Sequence, residues 1–137
     1  MDLTIYTDGG SLNNPGKAAS AYLIYHGKKL IHKDVRFLGI ASNNVAEYTA
    51  LIMALEKVAE IQIHSPVSSI SCRADSKLVV SQLSGVYKIK HPDMRQLASR
   101  VKLLEMSLGM VPKYTYIPRE KNTEADGLVK EMLLGKT

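Results

Sequence analysis

Ile5-Tyr6-Thr7-Asp8-Gly9-Gly10-Ser11 is the stretch that decides how the rest of the chain is read. Residues 3 to 7 (Leu3, Thr4, Ile5, Tyr6, Thr7) are apolar, aromatic or β-branched, which is strand composition. The run ends on one carboxylate followed at once by two glycines. Asp8-Gly9-Gly10 therefore reads as a turn at the tip of a strand. Such a turn is either local punctuation or a device that presents a fixed negative charge at a sheet edge. The two differ in one respect: whether other carboxylates arrive at the same place.

Working outward, Ser11 to Gly16 is a cluster of turn residues. Residues 19–25 and 29–38 read as strands joined by a hairpin-length connection at His26-Gly27-Lys28. From Ser42, apolar residues at 45, 48, 51, 52, 55 and 58 keep helical spacing to about residue 60. A break at His64-Ser65-Pro66 precedes a strand at 68–74 that delivers Asp75. Helices are expected at 76–83, 93–108 and 123–134, with a short strand at 113–117. Three strands, then strands alternating with helices, predict an α/β fold: a mixed five-stranded sheet, three strands antiparallel and two added parallel, flanked by helices. No repeat or linker interrupts residues 1–137, so a single domain is expected.

The 137 residues are 45% hydrophobic and 23% charged, ordinary for a globular chain. No apolar run approaches the ~18 residues of a membrane span. No signal peptide is visible behind Asp2, and Met1 suggests a whole protein. Cys72 is the only cysteine, which excludes an internal disulfide and argues against a structural thiolate zinc site. A monomer in the cytoplasm, away from membranes, is the resulting expectation. The net charge of +5 is a mild bias toward anionic partners. Between Arg73 and Lys121 stand ten Lys or Arg against four acids, a distribution suited to contacting phosphates.

Four acids have both local and functional readings. Glu47 resembles the end of a capping box beginning at Asn44. Yet it shares a helical stripe with Leu51, Ala54, Leu55 and Val58, where a carboxylate is costly without a compensating cation. Asp75 is either an N-cap or a group outside the carboxyl end of a strand, where ligands gather in open sheets. Asp126 is either a favourable acid at a helix start or a member of that same edge. Gly127 beside it would permit a close approach by another element or a ligand. If the strands bearing Asp8 and Asp75 are parallel neighbours, their carboxylates lie side by side. Carboxylates so crowded need metal ions to stay charged, and an all-oxygen set suits Mg²⁺ or Mn²⁺. Two such ions can activate water and stabilise a leaving oxygen.

Four blocks in register, Tyr6-Thr7-Asp8-Gly9-Gly10 with Asn13-Asn14-Pro15-Gly16, Asn43 to Tyr48, Ala74-Asp75-Ser76 and Asn122 to Asp126, resemble type 1 ribonuclease H. The resemblance spans essentially the whole chain. It implies the ribonuclease H fold, with Asp8, Glu47, Asp75 and Asp126 as a catalytic, metal-binding quartet and Asp8 between two ions. The implied reaction is endonucleolytic cleavage of RNA in an RNA/DNA hybrid, leaving 5′-phosphate and 3′-hydroxyl ends. By the same analogy Asn13, Asn14, Asn43, Asn44 and Ser76 would bind the substrate, sensing the 2′-hydroxyl and the minor groove.

With two departures from many members, the chain resembles a compact, archaeal-like branch of the family. No basic handle is inserted at residues 85–92, so a grip on the hybrid would fall to Tyr87, Lys88 and Lys90. The loop before Asp126, Ile117-Pro118-Arg119-Glu120-Lys121-Asn122, lacks the histidine many members carry there; His26, His32, His64 and His91 lie elsewhere. Arg119 can contact phosphate in its place but cannot accept a proton. Broader cleavage of double-stranded RNA, and a silent nucleic-acid-binding module of the same fold, are the competing expectations.

Overall fold

The computed structural model describes residues 1–85 and 88–135. The strands are β1 (Asp2–Ser11), β2 (Gly16–His26), β3 (Lys29–Ala41), β4 (Ser69–Ala74) and β5 (Lys113–Tyr116). The helices are α1 (Asn43–His64), α2 (Lys77–Leu83), α3 (Pro92–Leu108) and α4 (Thr123–Gly135), with a 3-10 turn at Arg119–Lys121. The sheet order is β3-β2-β1-β4-β5. β1, β2 and β3 pair antiparallel, while β1–β4 and β4–β5 pair parallel, as the alternation of elements predicted.

Period-two alternation in β1 sorts its side chains between two layers. Leu3 and Ile5 face α1 and α3 and join Ile24, Tyr48, Leu55, Val58, Ile70 and Val101 in the main core. On the opposite face Ala19 and Ala21 of β2 pack beneath Val129 and Leu133 of α4. α1 begins where Ser42 accepts a hydrogen bond from the Val45 amide, and it runs four residues past the expected end, stopping just before Ser65-Pro66. Among the described residues no helix is long and apolar enough to cross a membrane.

The chief correction concerns the opening stretch. Asp8, Gly9 and Gly10 are not a turn; they continue β1, opposite Ala21, Ser20 and Ala19 of β2. On the other side, pairing with β4 stops at Thr7–Ala74. Asp8 thus lies inside one strand pair and just beyond the end of the other, where the sheet opens. Gly9 is needed for closeness rather than for turning. A Cβ there would fall 2.2 Å from the Ala46 carbonyl carbon and 2.5 Å from the Glu47 nitrogen of α1.

Candidate active site

The close passage of α1 over β1 is set by small residues. Ser20, fully buried in β2, donates its hydroxyl to the Ala46 carbonyl at 2.6 Å, pinning the first turn of α1 to the sheet. With Gly9 beneath Ala46, the next residue, Glu47, is carried over Asp8. The Gly9 amide donates to both carboxylates, at 2.9 Å to Asp8 Oδ1 and 3.2 Å to Glu47 Oε1. Glu47 is thus not the reciprocal half of a capping box, because its side chain turns to β1 and Ser42 caps the helix. Asp75 is likewise not an N-cap; Ser76 holds that position, accepting from the Val79 amide at 3.3 Å.

Parallel pairing of β1 and β4 brings Asp75 beside Asp8. Asp8, Glu47 and Asp75 each offer an oxygen within 4.8 Å of the others. All three are withdrawn from water, with Asp8 4% and Glu47 8% exposed and the Asp75 side chain 3% exposed. Burial, and then the charge of Asp75, pushes the Asp8 carboxyl up to about 7. Burial, followed by the charge of Asp8, raises Glu47 well above the usual carboxylate range. Glu47 Oε2 and Asp75 Oδ2 are buried without a hydrogen-bond partner. Arg119 Nε stands 3.8 Å from that Asp75 oxygen, close enough for attraction between charges but too far for a hydrogen bond. Converging anionic oxygens with unused acceptor capacity fit a hard divalent cation.

Asp126, the fourth predicted acid, enters the same cleft from the first turn of α4 but stands outside the three-oxygen set. Its carboxylate is held 2.9 Å from Lys130 Nζ one turn along. The cleft, about 420 Å³, is also lined by Asn43, Asn44, Ser76 and Arg119. Asn13, Asn14, Lys88 and Lys90 are outside that lining, and Tyr87 lies outside the described residues. Asn14 instead accepts from the Asn43 amide at 2.9 Å, and Asn43 Oδ1 accepts from the Ser11 amide at 2.8 Å, which latches the β1–β2 loop to α1. A Cβ at Gly127 would meet nothing within 4 Å, so no neighbour uses that glycine for close approach.

Three contributors escaped the sequence reading. Ser20 interrupts the small apolar run Ala18-Ala19-Ala21, and that run was the available sign of a close helix. Asn122 is 2% exposed and donates from Nδ2 to the Thr7 carbonyl at 2.8 Å, tying the loop before α4 to β1 where β4 ends. Lys130 at four residues from Asp126 is an ordinary helical pair whose significance depends on where Asp126 points.

A family model described as RNase H matches residues 1–133. The chain is 38% identical over 130 residues to Ribonuclease HI of Halobacterium salinarum, covering 93% of this chain and 62% of that protein. It is 33% identical over 135 residues to the bifunctional protein Rv2228c of Mycobacterium tuberculosis, covering 97% of this chain and 36% of the relative. The chain therefore spans between about a third and two thirds of these relatives' lengths. Among solved structures, LC11-RNase H1 in complex with an RNA/DNA hybrid superposes with a TM-score of 0.89 at 37% identity, covering 94% of each chain. RNase H1 from Halobacterium salinarum superposes with a TM-score of 0.88 at 35% identity, covering 97% of this chain and 98% of that one.

Proposed function

The chain belongs to the ribonuclease H family, and from that premise we propose that it is a metal-dependent endoribonuclease that hydrolyses the RNA strand of RNA/DNA hybrids, leaving 5′-phosphate and 3′-hydroxyl ends. The observation that carries the proposal is the convergence of Asp8, Glu47 and Asp75, buried and with oxygens left unpaired, where β4 leaves β1. A binding module has no use for concentrated negative charge where phosphates must approach, whereas a hydrolytic site holding cations does. We read residues 1–137 as one domain carrying this activity.

Asp8, Glu47, Asp75 and Asp126 are the residues that would hold two Mg²⁺ or Mn²⁺ ions with substrate bound. When bound, such ions supply Lewis-acid activation of water and stabilise the leaving oxygen. The chain supplies the positioning. The Gly9 amide orients Asp8 and Glu47 together, and the Ser20–Ala46 hydrogen bond keeps Glu47 from drifting with its helix. Arg119, 73% exposed at the mouth, is a positive charge available to the scissile phosphate. Asn43, Asn44 and Ser76 line the cleft as short polar groups able to meet a 2′-hydroxyl.

Incubation of labelled RNA/DNA hybrid, RNA duplex and DNA duplex with the protein and Mg²⁺ or Mn²⁺ tests the proposal. Hybrid cleavage that disappears in Asp8→Asn is expected. Absence of cleavage with both metals, or full activity of the variant, overturns it. Cleavage of the RNA duplex at a comparable rate would broaden the substrate class to double-stranded RNA.

A further inference from the structure

Residues 119–126 stand between the acidic cleft and a second cavity. Arg119 and Asp126 line the cleft, while Lys121 to Ala125 line the other, which has a volume of about 500 Å³. This is ample for a small organic ligand, whose pockets run from ~300 to ~1,000 Å³. Its floor is the outer face of β1, β2 and β4, the side turned away from α1 and α3. Tyr6 and Arg73 are direct partners across the β1–β4 ladder. The Arg73 guanidinium sits 5.5 Å over the Tyr6 ring and donates from Nη1 to the Tyr6 hydroxyl at 2.7 Å. Tyr25 meets Tyr6 edge-on, with ring centres 5.8 Å apart at 85°.

The charge balance of this cavity is unusual. Arg73 is half-buried yet makes no ion pair among the described residues, and neither do the exposed Lys28 and Lys121 at its rim. The one acid in the lining, Glu124, accepts the Tyr25 hydroxyl at 2.9 Å. A guanidinium has five donors in a fixed fork, and the Tyr6 hydroxyl uses one of them. Held by the Tyr6 hydroxyl beside that ring, it has lost rotamer freedom before any ligand arrives, so an incoming phosphate meets a preorganised partner. Two tyrosine rings beside it offer what a plain anion would not need, a planar surface for a base.

We infer that this cavity is a nucleotide-binding site, with the phosphate on Arg73, Lys28 and Lys121 and the base against the Tyr6–Tyr25 pair. The nucleotide is either free or the unpaired end of a strand, since both present the same chemistry. Only the strand source rests on the nuclease reading proposed above.

Calorimetric titration with 5′-AMP, adenosine and inorganic phosphate, all in chelator so that no metal bridges phosphate to the acids, provides the test. The expected result is saturable 5′-AMP binding roughly tenfold or more tighter than either fragment, weakened about tenfold by Arg73→Gln. Lys121→Gln, an exposed change, gives a smaller loss and serves if Arg73→Gln fails to fold. A parallel titration compares a blunt RNA/DNA hybrid with one bearing a short unpaired end. A gain from the unpaired end that Arg73→Gln removes assigns the site to a strand, and 5′-AMP binding without that gain assigns it to a free nucleotide. Binding of 5′-AMP no tighter than phosphate together with no gain from the unpaired end overturns the inference. A protein that binds 5′-AMP but cleaves no substrate would overturn the nuclease reading and leave this site standing.

Discussion

Among the described residues, carboxylates are buried in two places and treated in opposite ways. Glu105, on the inner side of α3, is 5% exposed, and its needs are met locally. Tyr114 of β5 donates a short hydrogen bond to it, and Lys102 Nζ lies 3.2 Å from its other oxygen. The Tyr114 hydroxyl is pushed up by burial and then by that bond, so it stays a donor throughout the working range of pH. Asp8, Glu47 and Asp75 are equally withdrawn from water, but they are placed against one another. One backbone amide serves two of them, and two oxygens have no hydrogen-bond partner. A buried acid surrounded by donors is structure, since removing it costs stability. A buried acid surrounded by acids is held there against its own repulsion, and the fold keeps it for something that arrives later.

Removing charge from each place should have opposite consequences for activity and stability. Asp8→Asn keeps the shape of the side chain and is expected to lower the hybrid cleavage rate by ~10²–10³-fold, with no loss of thermal stability in chelator. Steady-state cleavage and melting curves on the same preparation measure both. Glu105→Ala should do the reverse. Leaving the Tyr114 hydroxyl unpaired should cost about 1–3 kcal/mol in denaturant unfolding, with cleavage per folded molecule unchanged. A variant at either position that moved both quantities together would erase the distinction.

Proton linkage sharpens it further. The Asp8 carboxyl is raised from 3.8 to about 7, so the folded, metal-free protein holds this proton more tightly than the unfolded chain does. The stability from this group is present in full below about pH 4 and is lost as pH rises through about 7. In chelator, melting temperature should therefore fall by roughly several degrees from pH 5 to pH 8, and Asp8→Asn should flatten that slope. Added Mg²⁺ or Mn²⁺ should restore stability at pH 8 more than at pH 5, where protons compete for the same oxygens. The smallest effect is expected at the exposed edge of the cluster. Arg119→Ala should weaken hybrid binding modestly and reduce the slope of log K against log salt by about 1. An unchanged slope would remove Arg119 from contact with phosphate.

Much of this arrangement is legible in the residues, though not all for the right reason. The strand composition of residues 3 to 7, the helical stripe from Val45 to Val58 and the breakers at Ser65-Pro66 are local signals, and each element formed where they stand. The order of those elements left Asp75 beside Asp8 conditional on their strands being parallel neighbours, and β1 and β4 pair in that way. Local rules misjudged Asp8-Gly9-Gly10, because Asp and Gly favour turns when nothing packs against them. Here Ala46 packs directly on Gly9, and the strand continues. They also offered capping roles to Glu47 and Asp75 that neighbouring serines perform. Ser20 was signalled only by the small-residue run around it and Asn122 only by the block it opens, since the partners that fix their roles lie 26 and 115 residues away.

The sequence alone determined the inventory: five strands, four helices, their alternation, and four acids placed at strand ends or helix starts. Periodicity, breakers and spacing are properties of neighbouring residues, and they survive without a folded partner. Only the tertiary structure decided that β1 outruns β4 at Asp8, that a glycine lets α1 descend onto it, and that three carboxylates are buried together while Asp126 turns to Lys130. Those outcomes depend on how closely distant segments approach and how much water they exclude, and both quantities come into existence only when the chain closes on itself.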